Sequence, residues 1–442
     1  MSIRRDNNGY VITACDSANT PRPIFLLGGA SQYTGDKHVN DFHNDFMYLV
    51  QPVDSIAHLM QSGGHNCVKF YLPPNGLNDA DKDRLAAFII RLYKTYKVRT
   101  CLLHFAGLYA NPNGEFLLYN PTPDNLEQLK ILIRSLAAWT GTLGTALACV
   151  QLGNENEYYV NGAGIVKFGG TADWDSVALT PEQYHSLMDE LAGEYRRIDL
   201  KHPVFLGHGQ LADRQVDIIN GRLTNFDGIA INVYPNWAEG RPATKVMLAM
   251  ELEQFFADQV AVAVRLDKPL IIGEFGESSF GSLGTTGQRN FAANAVAAMQ
   301  KFMAGSHSEY PKQIIGAFWH EYFPEQWKNV EIHESESALC LFDPAQGYEP
   351  KPAFSALSAG YILMADSLRQ IFDLNVGNDL PKVHHNGAWR ENYVIRLIID
   401  AHNRTVHEDD WITIQGRRIR KGSITVEGCY IYFRSATDLK SK

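Results

Sequence analysis

Two periods alternate along the chain. Short apolar runs bounded by Gly, Pro, Asn or Asp predict strands at "PIFLLGG", "NCVKFY", "RTCLLH", "ACVQLGN", "PVFLG", "GIAINVY", "PLIIGEF" and "IIGAFW". Between them, apolar positions three and four apart predict helices over "DADKDRLAAFIIRLYKTYK", "PDNLEQLKILIRSLAAW", "PEQYHSLMDELAGEYRRI", "ATKVMLAMELEQFFADQV" and "QRNFAANAVAAMQKFM", with "PAFSALSAGYILMADSLRQIF" at the end. The strand runs are continuously apolar, so both faces of each strand are buried, as in a parallel sheet covered by helices. Eight such strand-helix units predict an α/β fold, a closed (β/α)₈ TIM barrel. An open doubly wound sheet gives similar local patterns, but no Gly-rich phosphate fingerprint follows the first strand.

Beyond residue 378 the texture changes. "YVIRLIID", "WITIQGR" and "SITVEGCYIYF" are short, alternating and separated by turn signals, which predicts a small antiparallel β appendage. The expected division is a barrel with a short N-terminal β segment over 1–378 and a β-rich domain over 379–442. No repeat of fixed period and no low-complexity segment interrupts this order.

Composition narrows the class. With 442 residues, 45% of them hydrophobic, the chain can bury one large core and a small accessory domain. "MSIRRDNNGYVITA" has no apolar stretch of signal-peptide length, and no window approaches the ~20 apolar residues of a membrane span. A cytoplasmic protein with no membrane partner is expected. The balance of 40 basic against 49 acidic residues argues against a nucleic-acid partner. The one basic cluster, Arg417, Arg418, Arg420 and Lys421, reads as a solvated hairpin edge. Six cysteines without a CxxC spacing give no disulfide framework, and Cys67, Cys101 and Cys149 read as small core residues on strands. "HVNDFHND" and "VHHN" lack a ligand spacing, so neither a metal nor another cofactor is expected.

In a parallel barrel, reactive groups gather at the C-terminal strand ends. Glu155 and Glu157 follow the fourth strand in "QLGNENEYY", and Glu274 ends the seventh in "KPLIIGEFGESS". Two carboxyls facing across a barrel mouth at about 5–5.5 Å are what retaining glycoside hydrolysis requires, one as nucleophile and one as acid and then base. Lys69 stands on an apolar strand, where an unpaired ammonium is costly, and is expected to meet a carboxylate at the mouth. Glu157 and Glu277 lie past the strand ends and read as loop residues.

With "LGNE" closing strand four, "INVYPNW" strand six, "GEFG" strand seven and "GAFWHEYF" on strand eight, the sequence resembles clan A glycoside hydrolases, retaining (β/α)₈ enzymes. "CLFDPAQGYEPKPAF" is similar to the segment after strand eight in some of their families, and the likeness spans most of residues 20 to 375. The resemblance implies that Asn154 and Glu155 are the clan's Asn-Glu pair, with Glu155 the acid/base, and that Glu274 is the nucleophile. It implies that Tyr234 hydrogen-bonds the nucleophile, that Trp319 lies under the sugar and that His104 binds at the mouth, although His104 also reads as a satisfied buried histidine. Asn232, Trp237 and Glu321 are further candidate sugar contacts. Where the clan usually has Arg at the end of strand two this chain has Lys69, and an ammonium does not reproduce a bidentate guanidinium. A retaining hydrolase of β-linked glycosides or oligosaccharides is therefore expected. A transglycosylase would use the same pair with a sugar acceptor, and a non-catalytic sugar-binding barrel is disfavoured by the presence of both carboxylates.

Overall fold

The computed structural model describes residues 1–6, 9–15, 21–31, 33–34, 43–44, 53–73, 76–105, 117–118, 121–155, 179–213, 215–236, 245–324, 338–343 and 346–375, and four strand segments between 393 and 435. The eight apolar runs form β1 (Leu26–Ser31), β2 (Cys67–Leu72), β3 (Arg99–His104), β4 (Leu147–Leu152), β5 (Val204–His208), β6 (Gly228–Val233), β7 (Leu270–Phe275) and β8 (Ile314–Trp319). They pair in parallel, each with the next, and β8 returns to β1, giving the closed barrel that the pattern predicts.

A helix follows each strand: α1 (Val53–Ser62), α2 (Asp79–Tyr96), α3 (Pro123–Gly141), α4 (Pro181–Arg196), α5 (Gln215–Ile219), α6 (Ala249–Arg265), α7 (Gly284–Ala304) and α8 (Pro352–Asn375). Three begin at side-chain caps that satisfy otherwise unpaired N–H groups: Asn78 accepts from Asp81 N at 2.9 Å, Thr122 from Asn125 N at 3.2 Å, and Thr180 from Gln183 N at 3.2 Å. Helix α6 starts later than the apolar pattern suggests. Residues 245 to 248 lie outside the helix, Leu248 in an extended conformation, and Glu251 Oε2 takes the Leu248 N–H at 2.8 Å, so the first turn is fixed by an acid inside the helix.

Side chains alternate across each strand. Outward residues such as Val68, Phe70, Leu102, Ile229 and Ile272 pack with the helices, while Leu26, Cys67, Cys149, Phe205, Ile271 and Phe318 fill the barrel. A three-stranded antiparallel sheet, Ser2–Asp6, Gly9–Cys15 and Pro21–Ile24, supplies Ile12 to that interior cluster. It is joined to the chain just ahead of β8 by Tyr10 N donating to Lys312 O at 2.8 Å. Gly9, at φ 121°, permits this approach, since a Cβ there would lie 2.0 Å from the Lys312 carbonyl oxygen.

The chain divides into two compact units, Met1–Val376 and Gly377–Lys442. In the second, Tyr393–Leu397 pairs antiparallel with Ile431–Ser435, and Trp411–Ile412 with Arg418–Ile419. Among the described residues no helix is long and apolar enough to cross a membrane.

Candidate active site at the C-terminal strand ends

Glu274 is placed by an irregularity in its strand. Ile271 faces the barrel interior, so simple alternation would turn Glu274 outward, but the pairing of β7 with β8 shifts register between Ile272 and Phe275. A bulge of this kind re-aims a side chain. Here it delivers the carboxylate to the mouth, where only 6% of the residue is exposed.

Three side chains donate to that carboxylate. Tyr71 and Lys69, two residues apart on β2 and so on the same face, both reach Oε1, Lys69 Nζ at 3.3 Å. Tyr234, just past β6, donates to Oε2 at 2.9 Å. Lys69 is fully buried and also donates to Gly273 O at 3.0 Å. Burial by itself would raise the Glu274 pKa. The Lys69 charge, then His320, then the hydroxyls of Tyr71 and Tyr234 outweigh it and lower the carboxyl to about 2. Both tyrosines are pushed well above their usual range, first by burial and then by the charge of Glu274, so they remain donors. The result is an ionised carboxylate in a nearly dry pocket, the state a nucleophile needs.

The Asn-Glu pair stands just past β4. Asn154 Oδ1 accepts from Asn232 Nδ2 at 3.0 Å and from Gln151 Nε2 at 3.4 Å, which turns the Asn154 amide N–H groups away from those partners. Asn232 thus holds Asn154. Glu155 sits at φ 54°, in the left-handed region that costs a non-glycine residue about 1–2 kcal/mol. Burial, and then the charges of Glu274, Glu155 and Glu321, raise the Tyr234 pKa, so all three carboxylates lie within electrostatic reach of this phenol. Glu321 is itself completely buried.

Two expected sugar contacts face elsewhere. Trp319 has no exposed surface. Its indole N–H donates to Leu339 O at 2.8 Å, and its ring packs edge-on against Phe275 at 5.3 Å and Phe291 of α7 at 6.1 Å, in the layer between barrel and helices. The next residue, His320, occupies the mouth instead, 3.8 Å from Glu274 Oε2. His104 is also turned outward: Cys101 and Leu103 pack inside, and His104 lines a pocket of about 130 Å³ with Leu72, Leu136 and Trp139, beneath α2 and α3. Trp237 and Glu157 lie outside the described residues. Glu277 accepts from Asn236 Nδ2 at 3.0 Å and Ser278 N at 3.0 Å, tying the loops after β6 and β7 together. Sequence reasoning did not place Tyr71 and His320 at Glu274. Spacing of two from Lys69 signals the first, and the in-out alternation of "FWH" signals the second. Among the described residues no cluster of His, Cys, Asp and Glu could hold a metal ion.

The Lys69 ammonium is the largest favourable influence on the Glu274 charge, so its removal has a defined effect. Lys69→Met is expected to lower kcat/KM on the order of 10²–10³-fold, with the acidic limb of the pH profile moving to higher pH as the carboxylate loses its counter-charge. Steady-state rates from pH 4 to 8, with Tm measured alongside, check this. An unmoved acidic limb would show that the ammonium does not hold Glu274 ionised.

No protein-family model and no curated protein matches the sequence. Solved structures do match in fold. The exo-β-1,4-mannosidase of Opitutaceae bacterium strain TAV5 superposes with a TM-score of 0.55 at 17% identity over 83% of this chain, which spans 63% of that enzyme's length. The GH5_18 protein of Streptomyces cattleya, solved with GlcNAc, gives 0.55 at 15% identity over 81% of this chain and 82% of its own. The glycoside hydrolase family 5 mannosidase of Rhizomucor miehei, solved as a mutant in complex with mannosyl-fructose, gives 0.52 at 11% identity over 79% and 95%. The barrel of this chain is therefore similar in fold to those of family 5 glycoside hydrolases.

Proposed function

We propose that the protein is a retaining glycoside hydrolase acting on β-linked glycosides or oligosaccharides without a cofactor. The observation that carries this reading is the Glu274 carboxylate, buried at the end of β7 and held by Lys69, Tyr71 and Tyr234, with Glu155 past the end of β4 in electrostatic reach of the same Tyr234 hydroxyl. In the first step Glu155 gives its proton to the glycosidic oxygen as Glu274 attacks the anomeric carbon, and the aglycone leaves as an alcohol. In the second, Glu155 takes a proton from water, which opens the glycosyl ester and frees Glu274. The Asn154 amide, oriented by Asn232 and Gln151, is set to donate to a sugar hydroxyl beside the reacting carbon.

Because mannosidases are among the barrels of similar fold, aryl β-mannosides lead the substrate panel, followed by other aryl β-glycosides and β-linked oligosaccharides. Proton NMR of the first product then tests the stereochemistry. The β-anomer is expected to appear first and to mutarotate later, and an α-anomer formed first would exclude Glu274 as the nucleophile.

A further inference from the structure

His320 is a buried group at the mouth that the double displacement does not use, 4% exposed. Its backbone N–H donates to Phe275 O at 2.8 Å, which fixes it beside the residue that follows the nucleophile. Its Nδ1 lies 3.5 Å from the Tyr71 hydroxyl and 3.8 Å from Glu274 Oε2, and its ring meets Tyr71 and Tyr234 edge-on, with centroids 6.3 and 6.2 Å away. The titratable and charged groups around it are Tyr71 and Lys69 from β2, Tyr234 from the end of β6, Glu274 from β7, and Glu321 next in the chain.

A count of hydrogens fixes the direction of this contact. A phenol has one hydrogen, and Tyr71 gives it to Glu274 Oε1, an ionised oxygen that can only accept. Toward His320 the Tyr71 oxygen is therefore an acceptor, so Nδ1 carries a proton. The chain runs from His320 Nδ1–H to the Tyr71 hydroxyl and on to Glu274 Oε1. A carboxylate offers about four lone-pair sites, two on each oxygen. On Oε1 both are taken, by Tyr71 and Lys69, whereas among the described residues Oε2 accepts a hydrogen bond from Tyr234 alone, with His320 Nδ1 at 3.8 Å.

We propose that His320 is a positioning residue for the nucleophile: by donating from Nδ1 it locks Tyr71 as a one-way donor to Oε1, and so leaves Oε2 as the oxygen that attacks the anomeric carbon. This rests on the glycosidase reading for its consequence but not for its geometry, and the two are tested separately.

In the free protein, ¹⁵N NMR of histidine side chains is expected to show His320 with Nδ1 protonated, and Tyr71→Phe is expected to shift that Nδ1 signal. A His320 whose Nδ1 is unprotonated, or whose signal ignores Tyr71→Phe, overturns the proposal whatever the protein catalyses. In turnover of an aryl β-glycoside, His320→Asn, whose amide nitrogen falls near Nδ1, is expected to stay within about threefold of the wild type. His320→Phe is expected to lose on the order of 10- to 100-fold in kcat/KM with little change in KM. Adding Tyr71→Phe to His320→Phe is expected to cost less than the two single losses together, because the His320 contribution passes through the Tyr71 hydroxyl. Full activity of His320→Phe, equal losses in the Asn and Phe variants, or additive losses in the double variant would each overturn the assignment. Absence of wild-type turnover across the panel would refute the glycosidase reading instead, leaving the NMR result to decide the proton chain.

Discussion

Glu155→Gln is expected to slow hydrolysis of unactivated glycosides about 10²–10⁴-fold, the usual loss when a positioned general acid is removed. An aryl glycoside with a good leaving group needs little protonation, so Glu274 should still be glycosylated. Release of the glycosyl-enzyme then becomes limiting for want of a base. Azide, which needs no general base, is expected to restore turnover and give a β-glycosyl azide. The choice of Glu155 over Glu157 rests on anchoring: Glu155 follows directly on β4 and on Asn154, which Asn232 and Gln151 hold, and its φ of 54° is a conformation that the surrounding structure must enforce. Glu157 stands two residues further along, outside the described residues, and Glu157→Gln is expected to show neither the loss nor the rescue. Rates with and without azide for both variants, and the identity of the azide product, decide between them. Rescue confined to Glu157→Gln would reassign the acid.

Acidification is expected to unfold the protein at a pH where Glu274 is still ionised. Burial lowers His65 to about 3, His104 to about 4 and His208 to about 4, and burial together with the neighbouring His208 lowers His185 to about 3. A free histidine titrates near 6.5, so below that pH the unfolded chain takes up protons that the folded chain refuses. Stability is therefore full above pH ~6.5 and falls as the pH drops toward the folded values. At pH ~5 each of the four costs about 2 kcal/mol, together about 8 kcal/mol, which is comparable with the whole stability of an ordinary domain. Glu274 loses its contribution later, as the pH falls from the ordinary glutamate value of about 4.3 toward about 2. Thermal melts from pH 7.5 to 4 are expected to show Tm dropping continuously from about pH 6.5, and His104→Leu is expected to remove about a quarter of the drop. A Tm that stays level down to pH 4.5 would contradict the burial of these rings.

The barrel was legible because its strands and helices are long enough to show their periods. Helix α5, with five residues, is too short to show one, and α1 offers as buried positions, among the residues whose burial is described, Ile56, Ala57 and Met60. The late start of α6 depends on one hydrogen bond, from Leu248 N to Glu251, which periodicity does not register. At the site, Glu155, Glu274 and Tyr234 could be singled out as candidates because each closes or follows a strand that ends in a recognisable motif. The orientation of single side chains was less legible. Alternation on β3 turns His104 away from the mouth, and on β8 it gives the outer face to Trp319 and the inner to His320, whereas resemblance to a clan favoured the tryptophan. Alternation itself would have failed on β7: the shift in pairing that turns Glu274 inward spans Gly273, and a strand glycine signals a bulge without saying which way the next side chain is aimed. Lys69 stood out because a buried ammonium demands a charged partner, and Tyr71 did not because any acceptor satisfies a buried hydroxyl.

The N-terminal sheet bears on the order of events during turnover. Below the carboxylates the barrel is filled by Cys67, Cys149, Phe205 and Phe318 and closed by Ile12, so the reaction chamber has a floor. A chamber with a floor is a cul-de-sac: whatever leaves must retreat along the path by which the next molecule arrives. In the proposed reaction, water would reach the glycosyl ester after the departing alcohol has backed out. Any alcohol that lingers at the threshold stands where water must stand, so the share of sugar passed to an acceptor rather than to water should rise with the residence time of the departing group.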